Sequence, residues 1–419
     1  MTVDHATGGS AAPSVRHHGL DFVRASMMLL GVVLHTALCF QETPGAWVYQ
    51  DPNTTPLAGL LVISIHVFRM PIFFAMAGFF GAMLLERRGL ATFASHRFNR
   101  IAVPLLVGWF VLYPMFAWAI SFAWTNVGSD SITTAFGRMS WNANFADAGP
   151  MHLWFLVDLL WFYAAAVLLG GIGRVAPPIV SVVRRMAASI AIGRLRWFRL
   201  PAMVGLAFVA MLAMETPGID TTESWRPEWH IMALYGIYFA IGWLAYGVPG
   251  LVADLERWCW LRLGVGIALL AGATVSTIAC YAVMFDPAQG VDTQAYRWIF
   301  AVTQLLQAAT ACLLLLGLAG ASERVFRRVN PAVRYLVDAS YWIYLLHLPL
   351  TIFVPALFRR WETPGLLKMV SMMVLVTIPL LVTYHLLARG TAIGATLCGR
   401  TYPVWPFTRT RAPEPPPTE

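Results

Sequence analysis

The sequence predicts an all-α, polytopic integral membrane protein of about ten transmembrane helices, with both termini in the cytoplasm. Three observations carry this expectation. Hydrophobic residues make up 58% of the 419 positions and charged residues only 12%, a balance that ordinary soluble domains do not have. Apolar runs of about 20 residues, the length that crosses a bilayer as a helix, recur along the chain. The positive charge is concentrated in alternate loops, which sets an orientation.

The runs fall at 20–40, 58–84, 101–124, 151–171, 200–215, 230–247, 261–285, 298–320, 338–358 and 366–388. Each is expected to be helical, because backbone groups in lipid must pair within their own segment. The first opens on "DFVRASMMLLGVVLH", with an arginine and a histidine inside it. The second is long and carries "HVFRMPIFF", where Pro71 predicts a kink. The third follows "HRFNRIAVP". The fourth begins "MHLWFLVDLLWFY", with His152 at its outer edge. The fifth is short. The sixth, seventh and eighth are predominantly apolar. The ninth carries "SYWIYLLHLPL", and the tenth ends near His385, read as a plain interfacial residue.

Of the 29 lysines and arginines, 21 lie in one set of loops and tails, six in the alternate loops, and two, Arg24 and Arg69, inside spans. The richer side is cytoplasmic. The net charge of +8 is therefore mainly a topology signal, and nucleic acid is not an expected partner. A polar cytoplasmic tail is expected over 1–19, the ten-helix domain over 20–390, and a Pro-rich cytoplasmic tail over 391–419, ending "APEPPPTE". The N-terminal tail lacks the apolar core of a cleavable signal, so the first span is expected to remain as an anchor in the cell (inner) membrane.

Several chemistries are excluded by missing patterns. The five cysteines (Cys39, Cys259, Cys280, Cys312, Cys398) are scattered, with no CxxC, so they read as packing residues rather than a zinc or disulfide framework. No metal is expected. There is no GxxxxGK[ST], GxSxG or HExxH stretch, which leaves ATP-driven transport and zinc hydrolysis unsupported.

Ionisable groups in a bilayer are costly and call for a reason. Arg24 and His35 are 11 residues apart, about three turns, so they share one helix face about 16 Å apart along the axis. Snorkelling would explain Arg24 alone, and hydrogen-bonded packing would explain His35 alone. Their common face favours a path. His66 and Arg69 are helix neighbours, with His66 near the depth of His35 and Arg69 near the midplane. Arg69 calls for a carboxylate partner or an anionic ligand, and Asp158 in the fourth span is the candidate carboxylate. Ser340, Tyr344 and His347 share a face of the ninth span, as a site or as an interhelical hydrogen-bonding stripe. Arg97 and Arg100 are one turn apart at a helix start, where two guanidinium groups and the dipole suit a phosphate. The same residues also fit the cytoplasmic charge bias.

Four stretches together resemble one family, the integral-membrane acyltransferase-3 proteins. They are Arg24 followed by ten residues and then His35; "FRMPIFFAMAGFF" with the following "RFNRIAVP"; "HLWFLVDLL"; and "SYWIYLLHLPL". Within the family, "HLWFLVDLL" looks most like the branch of the glucans biosynthesis protein C, a succinyltransferase of periplasmic glucans. The resemblance covers roughly 20–390. It implies an O-acyltransferase that uses cytoplasmic acyl-CoA (succinyl-CoA or acetyl-CoA) as donor substrate, with no permanently bound cofactor. The implied acceptor is a hydroxyl of an extracytoplasmic glucan or other glycan.

The resemblance also implies His35 as catalytic base, Arg24 on the donor path, and Arg97 and Arg100 near the donor. Arg69, His66 and Asp158 join the expected catalytic set, with His152, Tyr344 and His347 on the substrate. Envelope-glucan biosynthesis proteins are implied as possible partners beside the lipid bilayer. The outer loops, the longest at about 125–150, would choose the acceptor. Their tryptophans Trp141, Trp225 and Trp229 suit sugar stacking, or more simply an interfacial belt. The competing expectation from the residues alone is a secondary transporter or flippase of a glycan or organic anion, which would also place charges at the midplane. A purely structural envelope protein would leave Arg24, His35 and Arg69 without a reason.

Overall fold

The structure, a computed structural model, describes residues 17–398 except 141–144, 146–147, 176, 223, 287–290, 292 and 329. Among these residues, fourteen α-helices and no strand are found. They are α1 (His18–Leu38), α2 (Pro56–Arg97), α3 (Val103–Val127), α4 (Ile132–Arg138), α5 (Trp154–Val175), α6 (Pro177–Ala191) and α7 (Arg199–Met211). Then follow α8 (Trp229–Tyr246), α9 (Leu251–Arg257), α10 (Cys259–Met284), α11 (Gln294–Val325), α12 (Pro331–Leu357), α13 (Gly365–Thr383) and α14 (Ala392–Cys398).

Each expected span coincides with a helix, but their lengths differ. Seven helical stretches are long and apolar enough to cross a membrane, or eight if the pair α8 and α9, bent by 107°, is one span. One of these stretches, Pro56–Val127, holds both the second and third expected spans. The chain turns within it at Gly89, where φ is 73°, and passes into α3 through a π-helical turn, Phe98–Ala102. Pro71 lies inside α2; the non-helical backbone of α2 is at Gly89 instead.

The fifth expected span, 200–215, is α7, which has only 13 residues. At about 1.5 Å per residue that is about 20 Å, short of a hydrocarbon core of about 30 Å. The helix stops because the following loop has better partners. The Asp220 carboxylate accepts the backbone N–H groups of Glu215 at 2.6 Å and Thr216 at 3.3 Å. From below, Gln307 of α11 donates to the Pro217 carbonyl at 3.1 Å, and Gln304 donates to Thr216 and Gly218 at 3.3 and 3.4 Å. Irregular backbone is tolerated beside membrane helices when protein groups satisfy it.

The centre of the bundle is α1, packed against α2, α11 and α12, with α2 against α8 and α10 against α11. Small residues set the closest approach. A Cβ on Gly78 would strike the Phe239 carbonyl, and one on Gly242 would strike the Ala75 carbonyl. Helices α2 and α8 therefore touch backbone to backbone, as small-residue seams allow in membranes. On the outside the pattern inverts: Phe110, Leu168, Val209 and Ile267 are each about 60% or more exposed, a surface suited to lipid chains. With its recurring apolar helices, the chain is a multi-pass membrane protein. Cys39, Cys259, Cys280 and Cys312 are buried and unpaired.

The tails lie largely outside the described residues. One part of the expected C-terminal tail is ordered, because α14 folds back and its Leu397 carbonyl accepts the Arg100 guanidinium, Nε at 3.1 Å.

Lys368, which the charge pattern assigns to an outer loop, is instead fully buried in α13, as is its partner Asp51. Its Nζ donates to Asp51 Oδ1 at 2.8 Å, Asn53 Oδ1 at 3.1 Å and the Arg359 carbonyl at 3.1 Å. All three ammonium protons are thus used. This knot fastens the segment between α1 and α2 to the start of α13. Lys368→Met is expected to cost about 3–5 kcal/mol, because it strands a buried carboxylate. Asp51→Asn added to Lys368→Met is expected to restore part of the loss. Melting of the single and double variants in detergent checks both; equal melting of wild type and Lys368→Met would exclude the strut.

Candidate active site

Helices α1, α2, α5 and α12 supply most of the walls of two adjoining cavities. On α1, Arg24, Met28, Gly31 and His35 follow i, i+4, i+7, i+11 spacing and form one stripe. On α2 the stripe is His66, Arg69 and Phe73. The turn Met151–Leu153 and α5 supply His152 and Phe155, and α12 supplies Ser340, Tyr344 and His347.

The smaller cavity, about 70 Å³, is bounded by His35, His66, Arg69, His152, Tyr344 and His347, together with apolar residues and Thr221. The expected face of α12 therefore does converge with the stripes of α1 and α2. The His35 and His347 rings lie 5.2 Å apart between centroids, and those of His152 and His347 5.0 Å apart. The hydrogen bonds fix the tautomers of three rings when neutral, since a carbonyl can only accept. His347 Nδ1 is 2.6 Å from the Tyr344 carbonyl, His152 Nε2 3.0 Å from the Leu345 carbonyl, and His66 Nδ1 2.9 Å from the Val62 carbonyl. Each N–H is thereby committed, and the opposite nitrogen is left as an acceptor.

Two of those acceptors, His347 Nε2 and His152 Nδ1, are buried with no protein partner, as is His35 Nδ1. Buried polar atoms are normally satisfied, so orphans gathered around a cavity point to a ligand that brings donors. Tyr344 gives its hydroxyl proton to the His152 carbonyl at 2.8 Å, which places it as a brace for His152. Met151, just before, holds a left-handed φ of 52°, a strained conformation for a residue with a side chain.

Arg69 forms no ion pair or hydrogen bond among the described residues. Its Nη1 would lie 2.9 Å from a Cβ on Gly31, and His347 Nε2 would lie 3.1 Å from it. Glycine at position 31 is what lets α1 pass both groups. Asp158 does not serve as counter-ion. It is 1% exposed with Oδ2 unpartnered, and it lies off the cavity wall. The reason is helical phase: His152 and Phe155 face the cavity, and 158 is turned about 60° from 155. Tyr235, fully buried on α8, lies within electrostatic range of both Arg69 and Asp158.

The larger cavity, about 540 Å³, is basic. Arg24, Arg87, Arg88, Arg97 and Arg100 line it, against Asp21 and Asp338. Arg24 lies 3.3 Å from Asp21 and 5.0 Å over the Phe80 ring. Arg97 is fixed by the Phe80 carbonyl at 3.2 Å and by the Tyr163 ring at 4.4 Å, leaving its Nε buried and unpartnered. Arg100 is engaged by α14. Sequence reasoning missed Arg87 and Arg88, whose charge blends with the cytoplasmic bias; only the turn at Gly89 brings them beside Arg97.

Sequence reasoning also missed Trp47, whose ring lies 5.7 Å from His35 on the segment held by Asp51 and Lys368. Of the outer-loop tryptophans, Trp225 uses its N–H on the Ala148 carbonyl at 2.8 Å and packs edge-on against Trp109. Trp229 is 73% exposed, and Trp141 lies outside the described residues. No cluster suited to a metal is found among the described residues.

A basic cavity adjoining a buried histidine–arginine cavity, inside a multi-pass helical bundle, suits group transfer within the membrane. The chain belongs to the acyltransferase-3 family, whose acyltransferase domain matches residues 17–385. It is accordingly an O-acyltransferase of the cell (inner) membrane. Glucans biosynthesis protein C of Salmonella gallinarum is 26% identical over 352 residues, 83% of this chain and 85% of that protein. The protein of the same name in Salmonella dublin is 24% identical over 372 residues, with the same coverage. No solved structure matches the chain. Family membership displaces the transporter and structural alternatives.

Proposed function

We propose that this enzyme moves a short acyl group, succinyl or acetyl, from cytoplasmic acyl-CoA to a hydroxyl of an extracytoplasmic glucan or related glycan. The observation that carries this reading is the row of orphan imidazole nitrogens beside Arg69. A sugar supplies the hydroxyl donors those nitrogens lack, and a reacting carbonyl supplies the anion Arg69 lacks. The similarity to glucans biosynthesis protein C supports a glucan as acceptor and envelope-glucan biosynthesis proteins as partners.

In this reading the chain crosses the membrane ten times, the short α7 completed by the loop after it, with both termini in the cytoplasm and the basic cavity facing the donor side. The donor's phosphates sit among Arg24, Arg97 and Arg100, with Arg87 and Arg88 at the rim. The acceptor hydroxyl sits at His35, near His152 and His347. Its oxygen attacks the thioester carbonyl carbon while His35 takes the proton. The carbonyl oxygen becomes an oxyanion beside Arg69. The carbon–sulfur bond then breaks, and CoA leaves as the thiol with the proton from His35. Thr221, exposed on the loop fixed by Gln304 and Gln307, marks the outer mouth.

Purified enzyme in lipid nanodiscs, given radiolabelled succinyl-CoA or acetyl-CoA with envelope glucan, tests donor and acceptor together. Label in an alkali-labile glucan ester is the expected result. Label transfer from neither thioester rules out acyl-CoA as donor; transfer only to another glycan rules out the glucan.

A further inference from the structure

The basic and histidine cavities have three lining residues in common: Met28, Phe73 and Phe155. They are the apolar partition between two polar spaces. Phe73 and Phe155 are 6% and 2% exposed, and their rings meet edge to face at 4.4 Å and 86°. Met28 stands on α1 between Arg24 and His35, on the same stripe. A route from the arginines to His35 along that stripe must pass these three side chains.

We propose that Met28, Phe73 and Phe155 form the constriction through which the donor's thioester end reaches His35, and that they limit the acyl group to a few carbons. This rests on the acyl-CoA reading above. The two rings are locked by each other and by the core, whereas methionine is unbranched and changes rotamer readily. Met28 is therefore the part that yields when the thioester enters. An apolar collar also keeps water out, which protects the thioester from hydrolysis. The size limit follows from volume. An apolar cavity of about 150 Å³ accepts one benzene ring; the histidine cavity beyond the constriction is about 70 Å³ and must also admit the attacking hydroxyl.

The test is a donor series of acetyl-, succinyl-, hexanoyl- and octanoyl-CoA with wild type, Phe155→Ala and Phe73→Trp, all in nanodiscs. Wild type is expected to use octanoyl-CoA at least about a hundredfold less well than acetyl-CoA, judged by kcat/KM. Phe155→Ala is expected to shrink that ratio at least about tenfold and to raise acyl-CoA hydrolysis without acceptor. Phe73→Trp is expected to lower kcat about tenfold with every donor, leaving the Kd for free CoA within about twofold. Because one change opens the passage and the other closes it, a shared folding defect cannot mimic both. If wild type transfers acyl groups but both variants keep its chain-length profile and kcat, the constriction is overturned while the acyl-CoA reading survives. If wild type transfers nothing from any thioester, the donor reading fails and the constriction falls with it.

Discussion

His35→Ala, at wild-type abundance in the membrane, is expected to lower glycan acylation about 10²–10⁴-fold, the usual worth of a positioned general base. The His35 ring donates to and accepts from no described protein group; it only packs beside Trp47 and His347. Its removal should therefore leave melting in detergent close to wild type. Mass spectrometry of envelope glycans from cells carrying either form gives the readout as an ester mass shift. Full acylation by His35→Ala would remove His35 from the chemistry and pass the base role to His347 or His152.

Arg69→Met is expected to lower kcat about 10²–10³-fold, the cost of losing one oxyanion donor. The same change should raise the melting temperature or leave it unaltered. Arg69 holds a charge inside the bundle with no carboxylate partner, and exchanging it for an apolar side chain of similar length removes that desolvation cost. An arginine kept for packing would behave oppositely, with melting lowered and kcat little changed. Arg69→Lys keeps the charge but not the planar donors, and it is expected to fall between the two. Activity and melting measured on the same three preparations separate the cases.

Much of the site could be read from spacing along single helices. Arg24 with His35, His66 with Arg69, and Tyr344 with His347 each share a face by helical period, and the structure gathers those faces at one cavity and its basic neighbour. Failures occurred where period says nothing about neighbours. Asp158 is the candidate carboxylate for Arg69 by residue type and span, yet its phase on α5 turns it off the cavity wall. Lys368 resembles a loop charge until Asp51, 317 residues away in the chain, is seen beside it. Arg87 and Arg88 look like orientation signals until the turn at Gly89 returns the chain to the cavity.

By itself, the sequence determined the solvent of this protein, its helical class, its family and most of the polar residues that line its two cavities. Apolar run length and the need to pair backbone groups in lipid are local properties, and residue identity at helical spacing is local too. Only the tertiary structure decided that α7 stops short, that glycine at position 31 opens room for Arg69 and His347, and that Met28, Phe73 and Phe155 stand between two cavities. Those outcomes depend on which helix faces meet. In a membrane that choice is made by close packing and by partners for buried polar groups, and neither can be read along one helix alone.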